Sequence, residues 1–223
     1  MYRPTKIHVA GMDYVVRWLP YTELEDATKE VDILKEEVRL LNDLSSEHAW
    51  VLIWESVLEI LSSTQGLHLP KRFIIYLAWG ICAILNKRSD VFYTQEGILD
   101  KKTISLMIGA RRYVVKFLTK EKFEKAVKKA YVEGGTTPHV GGKNLYLGLT
   151  DNISCVILIN TTDQSQRVIL ITAWHEFIHA ILDQFEANTL SENKVDALAY
   201  MLVNVMTDNE GLRSANTRTS KKR

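Results

Sequence analysis

The stretch Tyr14-Val-Val-Arg-Trp-Leu19 returns 99 residues later as Tyr113-Val-Val-Lys-Phe-Leu118. Its β-branched and aromatic residues, alternating in character, predict a half-buried strand in each half of the chain. Carried without a gap to Lys29 and Lys128, the pairing aligns Glu25 with Glu124 and Ala27 with Ala126, seven identities in sixteen positions. At an offset of 121, Trp54-Glu-Ser-Val-Leu-Glu-Ile-Leu61 lies over His175-Glu-Phe-Ile-His-Ala-Ile-Leu182, and Leu77-Ala-Trp79 over Leu198-Ala-Tyr200. Matched segments in the same order in both halves predict a tandem duplication.

Each copy then reads as a strand, a helix and a closing helix pair. The first helix is expected at 22–30 and again at 120–131, where charged and apolar residues recur at helical spacing. The pairs are expected at 47–63 with 70–86 and at 164–184 with 191–207, Pro70 suiting a first turn and Ser191 an N-cap. In the second copy 144–149 and 153–160 are strand-like and joined through Asp151-Asn152. The glycine-rich run Gly134–Gly142, which holds His139, predicts a loop beside or over the long helices. The expected fold is therefore α+β. Two tandem units, 1–100 and 101–210, each combine a small β-sheet with a long helix pair, and 211–223 form a flexible basic tail.

The composition is that of a folded globular protein, with 46% hydrophobic and 25% charged residues. A net charge of +1 gives no global reason to expect nucleic acid or an acidic membrane surface as partner. No run reaches the ~18 apolar residues of a membrane span, and no N-terminal stretch resembles a signal peptide. Cys82 and Cys155 lie in apolar runs without CxxC spacing, which predicts two buried free thiols. A cytoplasmic location is expected.

Chemistry concentrates in His175-Glu-Phe-Ile-His179, an HExxH motif. Residues four apart share a helix face, so both imidazoles can take one metal ion while Glu176 leans toward a bound water. This composition would yield the motif by chance about 0.01 times, which makes the signal moderately specific. It also sits in the apolar run Val168–His175, where two histidines and a glutamate would be costly unless they served a metal. Catalytic zinc takes three protein ligands and leaves a position open. Glu192, at the start of the next helix, is the expected third ligand, with Asp183 and Glu186 in reserve. Asp196, one turn on, is placed to accept from a ligand imidazole and fix its tautomer.

Glu192-Asn-Lys-Val-Asp196 has the ExxxD spacing that follows HExxH in gluzincin metallopeptidases, which this chain resembles across a shorter gap. The motif and the pattern Glu192-x-x-Val195-x-x-Leu198-Ala199-x-x-Leu202 are also similar to small phage-encoded metallopeptidase-like proteins related to the ImmA/IrrE group. The likeness covers about residues 104–210. It implies a zincin fold, a zinc cofactor, a peptide or protein substrate, and a place in a phage-infected host cell or a virion, with other phage proteins as partners. His139 and Tyr200 become candidates for contacting the transition state or lining the cleft, although a solvent-facing loop histidine and a packing tyrosine account for them as simply.

In the first copy the alignment puts Trp54, Leu58 and Lys71 at the three ligand positions, so no zinc site is expected there. Such a degenerate repeat also suits a second reading, in which the protein is a non-catalytic phage structural or host-interaction component that keeps the fold and a structural metal. His8, His48 and His68 have no partners at ligand spacing and are expected at the surface. The five tryptophans are expected in packing.

Overall fold

The computed structural model describes residues 3–24, 27–93, 103–134, 147–185, 190–209 and 212. It is an α+β fold in two similar units, Met1–Ser89 with Met201–Arg223 and Asp90–Tyr200. The division therefore falls earlier than residue 100, and the second half of the closing helix goes with the first unit. Among the described residues no helix is long and apolar enough to cross a membrane.

The first unit runs β1 (Lys6–Val9), β2 (Met12–Leu19), β3 (Lys29–Asp32), β4 (Glu37–Leu41), α1 (Ser46–Thr64) and α2 (Lys71–Tyr93). The chain continues with β5 (Thr103–Ile108), β6 (Arg111–Leu118), α3 (Lys120–Gly134), β7 (Gly148–Asp151), β8 (Val156–Asn160), α4 (Gln166–Gln184) and α5 (Glu192–Asp208), of which the second unit holds all up to Tyr200 on α5. The sheets are ordered β1-β2-β4-β3 and β5-β6-β8-β7. In each the central pair is parallel and both flanking pairs are antiparallel.

The strands form where the alternation predicts. Tyr14 and Val16 on β2, and Tyr113 and Val115 on β6, point into the core while their neighbours do not. On β8, Ile157, Leu158 and Ile159 are all buried, because α3 and α4 both pack on this strand.

The helix expected at 22–30 is absent. Pro20 opens a single 3₁₀ turn, Tyr21–Glu23, and the chain is in β3 by Lys29. The nine-residue connection from Pro20 to Thr28 is too short for a helix that must also return to the edge of the sheet. In the second unit the longer connection accommodates α3. The ungapped alignment accordingly ends at Leu19 and Leu118, since Lys29 is in a strand and Lys128 in a helix.

Strand register supplies the equivalences that follow. Val16 pairs with Val38 as Val115 pairs with Ile157, and Leu19 with Leu41 as Leu118 with Asn160. The residue before each of those strands has positive φ, 51° at Glu36 and 54° at Cys155. At the sheet edges Lys29 pairs with Leu40 and Gly148 with Ile159, so Lys29 and Gly148 hold the same position.

Helices α1 and α4 each run nineteen residues from a serine cap, Ser45 accepting from the backbone N–H of His48 and Ser165 from that of Val168. This sets the fully buried Trp54 over the fully buried Trp174, which corrects the expected pairing of Trp54 with His175 by one residue. Glu55 stands over His175, Ser56 over Glu176 and Glu59 over His179. Lys71 does stand over Glu192, because each opens its helix and the α4–α5 connection is one residue longer than the α1–α2 connection. Apolar helices match almost as well at neighbouring offsets, so only the caps reveal the shift.

Three further expectations change. Cys155 is only half-buried, because it takes the left-handed position of the turn before β8, whereas Cys82 is buried. Trp79 is 40% exposed on α2, its ring meeting His48 edge-on. The strand expected from 144 is described only from β7 onward, and His139, Glu186 and the 213–223 tail lie outside the described residues.

Candidate metal centre

Helix α4 is amphipathic in an unusual sense. Most of its faces are apolar and buried, including Trp174, Phe177, Ile178 and Ile181, while His175 and His179 lie on the one stripe that reaches the start of α5. Their Nε2 atoms are 3.0 Å apart. Oε2 of Glu192, in the first turn of α5, is 3.3 Å from Nε2 of His175 and 3.4 Å from Nε2 of His179. His175, His179 and Glu192 could therefore hold a metal ion.

The geometry passes a specific test. Ligand atoms about 2.0–2.1 Å from a tetrahedral zinc are separated from one another by about 3.3–3.4 Å. The observed triangle of 3.0, 3.3 and 3.4 Å is close to that spacing without adjustment. The donor set of two imidazoles and a carboxylate is also the kind borderline-soft divalent ions prefer.

Asp196, one turn along α5, accepts from Nδ1 of His175 at 2.7 Å. A proton fixed on Nδ1 leaves the Nε2 lone pair facing the triangle. Burial and the neighbouring His175 hold His179 below the ordinary imidazole range, which keeps it neutral and able to ligate.

Glu176 follows His175 on the helix and turns toward the sheet, where it is only 6% exposed. Burial, the largest influence, pushes its carboxyl up to about 7 against the opposing pull of His175 and Thr150. The Thr150 hydroxyl on β7 lies 2.7 Å from Oε2 of Glu176 and 3.0 Å from its backbone carbonyl oxygen. Gly148, two residues earlier on the same strand, leaves the space that the side chain occupies. A Cβ there would stand 2.5 Å from Oε1 of Glu176 and 2.8 Å from its Cγ. Glu176 is thus clamped between α4 and the edge strand of the described sheet.

Of the reserve ligands, Asp183 is engaged elsewhere, its Oδ2 3.0 Å from the guanidinium of Arg111. Tyr200 is half-exposed on α5 with the Arg167 guanidinium 5.5 Å from its ring centre. Thr150 and Gly148 are the site residues that sequence reasoning missed. Neither belongs to a motif, and only the β7–β8 register brings them to Glu176.

No protein-family model, curated protein or solved structure matches this chain.

Proposed function

We propose that the second unit is a zinc-dependent hydrolase of peptide bonds, with His175, His179 and Glu192 as the zinc ligands. The observation that carries this reading is the convergence of three ligand atoms within 3.0–3.4 Å, next to a buried carboxylate that is not one of them. Bound zinc supplies Lewis acidity, activating a water and polarising the scissile carbonyl.

The protein's own groups account for the remainder. Glu176, with a carboxyl poised near neutrality, takes the proton of the attacking water as its oxygen bonds to the carbonyl carbon. It then delivers that proton to the amide nitrogen as the C–N bond breaks. Thr150 holds Oε2 of Glu176 in place, and Gly148 lets the carboxylate lie close to the strand. Asp196 orients His175. Among the described residues β7 is an edge strand of its sheet, a place where an extended peptide can pair. The phage-related metallopeptidase-like family is the assignment the motifs favour, in a host cell during infection.

A second reading has one observation in its favour. The first unit keeps the same sheet topology and helix pair with none of the three ligands, so the fold does not require the metal. On that reading the protein is a binding or assembly component, and any metal it holds is structural.

Glu176→Gln separates the two. The hydrolase reading expects unchanged zinc content and loss of peptide cleavage, whereas His179→Ala loses both. Biological activity that survives Glu176→Gln but not His179→Ala would overturn the hydrolase reading in favour of the structural one.

A further inference from the structure

In the first unit the ligand positions carry Glu55, Glu59 and Lys71, and a lysine from the sheet edge reaches them. Nζ of Lys29 is 2.5 Å from Oε1 of Glu59 and 3.9 Å from Oε2 of Glu55. Side-chain exposures of 10% for Lys29 and 12% for Glu55 distinguish this from a solvated surface pair.

The residues around the two centres are exchanged reciprocally. Where the second unit has Gly148 on the strand and Glu176 on the helix, the first has Lys29 and Ser56. A large side chain comes from the helix in one unit and from the strand in the other, and its partner is small each time. Ser56 is fully buried and turns its hydroxyl to the carbonyl of Leu52 at 2.8 Å, so it makes no claim on the charged cluster.

We propose that Lys29 is the built-in cation of the first unit. Its ammonium stands where the second unit would hold a metal ion, and it is bound by carboxylates at the two positions occupied there by imidazoles. Burial pushes the Glu55 carboxyl up, and the Lys29 ammonium opposes part of that rise. The arrangement makes the first unit independent of metal supply. It also implies a latent site. Without the ammonium, and with the Glu192 equivalent restored at Lys71, oxygen ligands converge that suit a hard divalent cation. A cleft of about 630 Å³, lined by Lys29, Glu55, Glu59 and Lys71, gives such an ion access.

Two measurements test this on the full chain, each as a difference, so neither depends on hydrolysis or on metal in the second unit. The first is the number of Mn²⁺ ions bound per chain. Lys29→Ala with Lys71→Glu should bind one more than the wild type, and adding Glu55→Gln and Glu59→Gln should abolish the gain. The second is thermal stability. Lys29→Ala should lower Tm by on the order of 5–10 °C by leaving two carboxylates without their cation. Adding Glu55→Gln and Glu59→Gln to Lys29→Ala should restore at least half of that loss. No extra Mn²⁺ would overturn the proposal. So would a triple variant no more stable than Lys29→Ala, or one that fails to fold, because the lysine would then act through its packed stem and not its charge.

Discussion

Glu176→Gln should change how the stability of the metal-free protein depends on pH. Burial raises the Glu176 carboxyl from its ordinary 4.5 to about 7. A folded-state value above the unfolded one favours the protonated, uncharged form in the native protein. The stability present below about pH 4.5 is therefore lost progressively as pH rises, and the loss levels off once pH passes the folded value near 7. The full difference corresponds to about 3 kcal/mol, of which about 2–3 kcal/mol falls between pH 5 and pH 8. Glutamine carries no charge at any of these pH values. Its altered hydrogen bonding to Thr150 sets a constant offset, not a slope. His179, held low by burial, favours folding at higher pH, but both proteins carry it and it cancels from the difference.

The assay is thermal unfolding of chelator-stripped wild type and Glu176→Gln at several pH values from 5 to 8. The variant's Tm should gain on the wild type by about 5–10 °C across that range, given roughly 2–4 °C per kcal/mol for a chain of this size. Saturating zinc should shrink the gain, because a cation beside Glu176 favours its charged form. A Tm difference that stays flat with pH, or moves the other way, would refute the account of Glu176 as a carboxyl buried without adequate compensation.

Gly148→Ala places a Cβ 2.5 Å from Oε1 of Glu176, so it should displace the carboxylate, cost about 1–3 kcal/mol in urea unfolding and depress cleavage. Zinc content measured by elemental analysis should not change, because the atoms nearest an added Cβ belong to Glu176 and Thr172, neither of which is a proposed ligand. Asp196→Asn weakens the acceptor at Nδ1 of His175 and should lower zinc affinity about 10–100-fold in a competition titration. Its Tm without metal should remain close to wild type, since the Asp196 side chain is 68% exposed.

The sequence makes legible whatever depends on periodicity or spacing. The Tyr-Val-Val strands, both helix pairs and the candidate metal cluster His175, His179 and Glu192 follow from residue type and separation along one helix or between two caps. Asp196 follows too, because a residue four beyond Glu192 shares its face. The connection after Leu19 is misread because local propensity at 22–30 suits a helix, while the sheet requires its edge strand there. Gly148, Thr150 and Lys29 stay hidden for a related reason. Their roles arise from the pairing of β7 with β8 and of β3 with β4, and nothing local in a four-residue edge strand encodes what faces it across the core.

The reciprocal exchange of Lys29 and Ser56 with Gly148 and Glu176 also constrains how one kind of centre turns into the other. In the second unit, a lysine at Gly148 would meet Glu176 from its Cβ onward, so it could not be accommodated while that glutamate remained. In the first, a glutamate at Ser56 would compete with Lys29 for the same space between helix and edge strand. A step that adds the larger side chain is therefore blocked while its neighbour keeps its own, and the pair should be strongly non-additive. The ligand positions are coupled to that pair by charge. Two carboxylates at the histidine positions of α1 are accompanied by a cation from the strand, whereas the two imidazoles on α4 could take one from solution. Taken together, the two proposals give a unit of this fold two self-consistent states of the same position, one that carries its own cation and one that would take it from solution, with intermediates that bury unpaired charge.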